Sequence, residues 1–168
     1  MSASQSPALD VIAIGRSSVD LYGQQIGARL EDIATFSKSV GGCPANIAIG
    51  TARLGLKSGL ITGVGAEQMG RFIIEQCARE GVATEGIKID KERLTALVLL
   101  AVEDEGVSPM IFYRPDCADM AITEDDVDEA YVKSSKSVLV SGTHFSRPNT
   151  AAAQLKAMRI AKANGGKV

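Results

Sequence analysis

Apolar residues in this chain fall in short blocks separated by glycine and polar turns. Val11-Ile12-Ala13-Ile14 closes on Gly15 and predicts a buried strand. From Arg16 to Val40 the pattern is mixed, with isolated β-branched residues and Gly23 and Gly27; it predicts loop with one or two short, exposed strands. Gly41-Gly42-Cys43-Pro44 is a sharp break before a small-residue helix that runs from Ala45 to Leu54. Pro44 suits its first turn and Gly55 the position just past its end. Residues 58–63 predict the next strand. Residues 69–80 predict a helix with Met69, Phe72, Ile73 and Cys77 as its stripe, ended by Gly81. Residues 95–102, a turn at 103–106 and a return at 107–113 predict a hairpin, with Pro109 marking an edge. Thr123-Glu124-Asp125-Asp126 predicts a capped helix start. Residues 137–141 predict a buried strand, and residues 149–163 a last helix with Ala151, Leu155 and Met158 on one stripe. Residues 2–8 read as a loose tail.

Strands alternating with helices predict an α/β fold, with a mostly parallel sheet covered by helices. The chain closes at Lys167-Val168, just past a helix end, where another strand is due. The expectation is a domain incomplete at its C-terminus.

Composition narrows the function classes. Lys plus Arg is 18 and Asp plus Glu is 20, a net charge of −2, so there is no electrostatic footprint for nucleic acid or an anionic membrane. With no Trp and 4% aromatics, a base-stacking platform is not expected. At 45% hydrophobic residues, the chain carries enough apolar surface to offset the entropy of ordering. No apolar run approaches the roughly 18 residues of a membrane span. Cys43, Cys77 and Cys117 form no CxxC pair and read as reduced intracellular thiols. The N-terminus has no apolar signal segment, so the expected location is cytoplasmic.

Four places carry candidate chemistry. The Gly41-Gly42 bend leads into a helix start, where backbone N–H groups and the helix dipole suit an anion or a polyhydroxyl compound; Asn46 adds a donor and an acceptor. The same residues also suit an ordinary strand-to-helix turn. Asp20 follows the first strand, where ligands of open α/β sheets bind; a solvated loop aspartate fits it equally. Arg114 suits a carboxylate or plain surface exposure. His144, the only histidine, reads as a loop residue without a role, with general base as its alternative. Gly63-Val64-Gly65 resembles a dinucleotide fingerprint, but Gln68 stands where its third glycine belongs, and no P-loop occurs.

Taken together, DVIAIGRSSVDLYG, FSKSVGGCPANIAIG, VGAEQMGRFI, FYRPDCADMAI and VSGT resemble the PfkB/ribokinase family of sugar kinases, and within it members that phosphorylate a sugar acid. The resemblance covers residues 10–168. It implies a ribokinase-like three-layer α/β/α fold with a small β lid, built from segments near 21–40 and 95–113 and pairing in a homodimer. It implies transfer of the γ-phosphoryl group of ATP, with Mg2+, to a primary hydroxyl of a small-molecule sugar acid. By motif, Asp20, Gly41, Gly42 and Asn46 match sugar-binding positions; Arg114, and Arg16 second, are candidates for the acid's carboxylate. The family's D-T-x-G-A-G-D segment, which holds the anion hole and the catalytic base, does not occur in these residues. The chain therefore reads as the N-terminal, acceptor-binding part of such a kinase, inactive alone. A non-catalytic sugar-binding module and a nucleoside kinase of the same fold are the alternatives.

Overall fold

The computed structural model describes residues 8–102 and 109–168. Residues 2–7 of the tail expected at 2–8, the hairpin turn at 103–106 and the first two residues of the return at 107–113 lie outside them. Two four-stranded sheets organise the chain. The first has the order β5-β4-β1-β8, from Ile87–Asp90, Ser58–Gly65, Val11–Ile14 and Val138–Val140, with every pair parallel. The second has the order β3-β2-β6-β7, from Phe36–Gly41, Ser18–Gly23, Leu97–Leu100 and Met110–Tyr113. Here β2 runs parallel to β6 and antiparallel to β3, and β7 returns antiparallel on β6.

Helices cover both faces of the parallel sheet. On one face α1 (Cys43–Arg53) and α2 (Gln68–Arg79) seat Ala45, Ala48, Ile73 and Cys77 against Ala13, Leu60 and Val64. On the other, α3 (Glu129–Lys133) and α4 (Pro148–Ala163) bring Val132, Ala153, Ala157 and Ala161 against Ile12, Ile14 and Ile61. Alternation along β1 and β4 sends successive side chains to opposite layers. Each fully buried isoleucine contributes about 1.5–3 kcal/mol. The alanines let the helices lie close to the sheet, which carries the bulk.

Several expectations change. Residues 18–23 and 36–41 are strands; β3 is largely exposed, as expected, whereas β2 begins with the wholly buried Ser18 and Val19. The strand expected to stop at Gly63 continues to Gly65, and all eight residues of β4 are buried. Gly63 and Gly65 are not a turn; a β-carbon on either would collide with the backbone of Ala118 or Arg93. Strand β5 had no clear signal because its four residues mix Ile87 and Ile89 with Lys88 and Asp90 at a sheet edge. The helix expected from Thr123 is a 3-10 turn, Glu124–Asp126, followed by the short α3. Its cap does form: the Thr123 amide donates to the Asp126 carboxylate at 2.8 Å. Past α4, Lys167 pairs parallel with Ser137, and the Val138 amide donates to the Lys167 carbonyl at 2.9 Å. Among the described residues no helix is long and apolar enough to cross a membrane.

Candidate functional site

The carboxyl ends of β1 and β8 converge on one spot. Gly15 ends β1, and a β-carbon placed there would lie 2.9 Å from Pro44 of α1, 3.4 Å from His144 Nδ1 and 3.6 Å from Ser141 Oγ. The start of α1, the 3-10 turn Gly142–Ser146 after β8, and the link from β1 to β2 are thus gathered within a few ångströms.

The link contributes Arg16, and β2 contributes Asp20. Opposite them, β3 ends at Gly41, and Gly42 caps α1 with a φ of 95°. A β-carbon on Gly42 would meet the Arg16 carbonyl oxygen at 2.6 Å, so residue 42 must combine a left-handed φ with a bare α-carbon. At Gly41 the hollow left by the absent side chain is filled by the Asp20 carboxylate. The Ser18 hydroxyl donates to Asp20 Oδ1 at 2.8 Å and fixes that carboxylate from the other side. Four of the six expected residues, Arg16, Asp20, Gly41 and Gly42, are therefore in mutual reach.

Arg114 joins the group from the end of β7, which passes over Arg16: the Arg16 guanidinium lies 5.1 Å from the centre of the Phe112 ring. Burial, with the charge of Arg114 adding to it, draws the Arg16 guanidinium below its ordinary pKa; Asp20 and Asp119 act in the opposite sense. Arg114 is not a surface residue. Its Nε and Nη2 donate to Asp119 Oδ2 at 3.0 and 2.6 Å, and Nη2 reaches His144 Nε2 at 2.9 Å. His144 Nε2 also lies 3.3 Å from Asp119 Oδ2. Arginine has no acceptor, so the contact with Arg114 uses the Nε2 lone pair and that with Asp119 the Nε2–H of the other tautomer. His144 is 1% exposed and is no loose loop residue.

Asn46 sits one turn into α1, its amide donating to the Gly42 carbonyl at 2.9 Å. Its exposed side chain lines a cavity of about 320 Å³ with Lys38, Val40 and Phe72, whereas a second cavity of about 550 Å³ lies by Arg93, Leu94, Tyr113 and Cys117. Neither is lined by Asp20, Arg16 or Arg114.

Among the described residues, three buried polar atoms at the convergence have no hydrogen-bond partner: Arg16 Nε, Asp119 Oδ1 and Ser141 Oγ. Buried polar atoms are nearly always paired, so their gathering at one place marks where a polar ligand fits. Sequence reasoning missed Asp119 and Ser141 as site residues. A signal existed for the first: an acid between Ala118 and Met120, inside an apolar stretch, demands a cationic partner once buried.

Comparison with known proteins gives the family and the fold. The 5-dehydro-2-deoxygluconokinase of Halalkalibacterium halodurans is 42% identical over 160 residues, 95% of this chain and 48% of that protein. The protein of the same name from Shouchella clausii is 40% identical over 163 residues, 95% of this chain and 49% of that one. Thus the chain spans about half the length of the curated relatives it matches. Among solved structures, a PfkB protein from a Polaromonas species superposes with a TM-score of 0.89 at 30% identity, over 95% of this chain and 54% of its own. A putative ribokinase II from E. coli, in complex with ATP and Mg2+, gives 0.87 at 26% identity, over 94% and 51%. These neighbours carry the ribokinase-like α/β fold. The model of pfkB family carbohydrate kinases matches residues 8–168, and the chain belongs to that family.

Proposed function

We propose that this chain forms the acceptor-binding part of a 5-dehydro-2-deoxygluconokinase, which phosphorylates the primary hydroxyl of a sugar acid in inositol catabolism, in the cytoplasm. The observation that carries this reading is the pairing of two half-buried cations, Arg16 and Arg114, with the Asp20 carboxylate seated in the Gly41 hollow. A sugar acid presents hydroxyls at one end and a carboxylate at the other. Asp20 Oδ1 is occupied by Ser18, and its remaining oxygen accepts from sugar hydroxyls. Arg16, whose Nε has no partner, and the free edge of Arg114 receive the carboxylate by charge-assisted bonds. A neutral sugar leaves Arg16 without a counter-charge, whereas Arg114 is already paired with Asp119. Gly41 and Gly42 keep the approach clear; Asn46, expected at the sugar, instead lines the neighbouring cavity by Lys38 and Phe72.

The sheet β3-β2-β6-β7 serves as a lid over this site and excludes water during transfer. Its β7 strand exposes Met110, Ile111, Phe112 and Tyr113, each 44–53% accessible, and through it the lid pairs with that of a second copy. ATP and Mg2+ are the proposed cofactors of the reaction, supplying the phosphoryl group and its charge neutralisation. Among the described residues no three His, Cys, Asp or Glu side chains stand together as a metal site, and none is assigned to the nucleotide. The chain alone binds the acid and does not phosphorylate it.

A coupled ADP-release assay tests the reading, run on this chain and on a version extended through a D-T-x-G-A-G-D segment. The extended protein turns over 5-dehydro-2-deoxygluconate, and this chain does not. Turnover of only ribose, fructose or a nucleoside would contradict the proposal.

A further inference from the structure

We propose that Asp119 and His144 are positioning residues that hold Arg114 aimed at the carboxylate of the acceptor, an inference that rests on the acceptor-site reading above.

Asp119 is fully buried in the 3-10 turn Ala118–Ala121, between the buried Ala118 and Met120. That turn is anchored at both ends. The Ala118 amide donates to the Leu94 carbonyl at 2.9 Å, and the Asn149 side chain donates to the Met120 and Ile122 carbonyls at 2.9 and 3.0 Å. His144 is held in turn by the Thr150 hydroxyl, which donates to its carbonyl. Two fixed acceptors therefore grip one edge of the Arg114 guanidinium, its Nε and Nη2. Among the described residues the Nη1 edge, with two further N–H donors, makes no hydrogen bond. A guanidinium already fixed in plane loses little rotamer entropy when a carboxylate docks.

Asp119 uses only Oδ2 for Arg114; its buried Oδ1 has no partner among the described residues and is left for a donor such as a hydroxyl of the acceptor. Arg16 makes the contrast, since it rests on Phe112 with no acceptor gripping its Nε. One arginine is pre-set and the other adapts.

The test is calorimetric titration of this chain with 5-dehydro-2-deoxygluconate and, separately, with fructose. D119N and H144F should weaken the acid about tenfold or more, the loss of a charge-assisted bond, and leave fructose unchanged. In an R114A background the same changes should add nothing. H144Q, whose amide oxygen can accept from Arg114, should stay within about threefold of the parent. Equal weakening of acid and fructose, or full additivity with R114A, overturns the proposal. Circular dichroism checks folding; should D119N not fold, the H144F and H144Q pair decides. Failure of the parent chain to bind the acid faults the functional reading instead. The clamp is then read without ligand, by nitrogen-15 NMR. A slowly exchanging Arg114 Nε–H that is lost in D119N and H144F supports it, and rapid exchange in the parent chain overturns it.

Discussion

The carboxylate of Asp20 occupies the space in which residue 41 would carry its β-carbon. The register of β2 on β3 explains why. Ser18 stands opposite Gly41 and Asp20 opposite Ser39, so the Asp20 side chain leans diagonally across the pair and enters the gap. Sequence, strand pairing and candidate chemistry meet in that one contact.

Gly41→Ala and Gly42→Ala should therefore fail differently. At position 41 the new methyl meets the far end of a side chain that can rotate away. Stability should fall by about 1 kcal/mol or less, while sugar-acid affinity falls at least tenfold with the displacement of Asp20. At position 42 the methyl meets the Arg16 backbone at a φ of 95°. There the cost should be about 1–3 kcal/mol of folding stability. Urea unfolding and calorimetry separate the two; a Gly41→Ala protein that binds normally would remove Asp20 from the site.

The two arginines should also part company. Arg114 neutralises a carboxylate that is wholly buried, and removing one partner of a buried pair costs about 3–5 kcal/mol. Arg114→Ala should lose that much in chemical denaturation. Arg16 makes none of the hydrogen bonds that bind Arg114, so Arg16→Ala should stay within about 0.5 kcal/mol of the parent, as at an ordinary site, yet lose its preference for a sugar acid over fructose.

Acid should unfold the chain through its caps. Burial alone would raise the carboxyl of Glu67, but hydrogen bonds from Thr95 and from the Met69 and Gly70 amides outweigh it and hold the pKa below the ordinary 4.5. For Asp126, burial is likewise outweighed by Lys88 and Thr123, below the ordinary 3.8. A carboxyl depressed in the folded state binds fewer protons there than in the unfolded chain. Its stabilisation is complete above the ordinary value and disappears as pH falls through the folded one. Urea midpoints should drop below about pH 4.5, and Glu67→Gln should flatten that drop, having already lowered stability at neutral pH by about 1 kcal/mol. A parent midpoint level down to pH 3 would contradict this.

Sedimentation tests the pairing of lids. Ile111, exposed on the edge strand β7, should tolerate Ile111→Asp without loss of melting temperature, while the dimer dissociates. A parent chain that sediments as a monomer at high concentration would contradict the pairing.

Much of the fold was legible because its signals are local. The β1 run ends on a glycine, Pro44 opens α1 and Pro109 marks an edge; each follows from steric rules that no neighbour overrides. What escaped depends on partners distant in sequence. Gly63-Val64-Gly65 resembles a fingerprint past the strand's end, and only parallel pairing with β5, from Gly63 opposite Lys88 to Gly65 opposite Asp90, extends the strand through it. Thr123 carries a sound cap, but Val127 and Asp128 turn extended after it, at ψ of 99° and 121°, and divide the helix. In the site, Asp20 and the double glycine were visible as motif. The grip on Arg114 was not, because Asp119 and His144 come from turns that only the folded chain brings together.

Titrating this chain with 5-dehydro-2-deoxygluconate in the absence of nucleotide tests the central claim most directly. Saturable one-to-one binding, at least tenfold tighter than fructose and abolished by Arg16→Ala with Arg114→Lys, is the predicted result. Heats indistinguishable from dilution in a folded protein, or equal affinity for the acid and the neutral sugar, would contradict it.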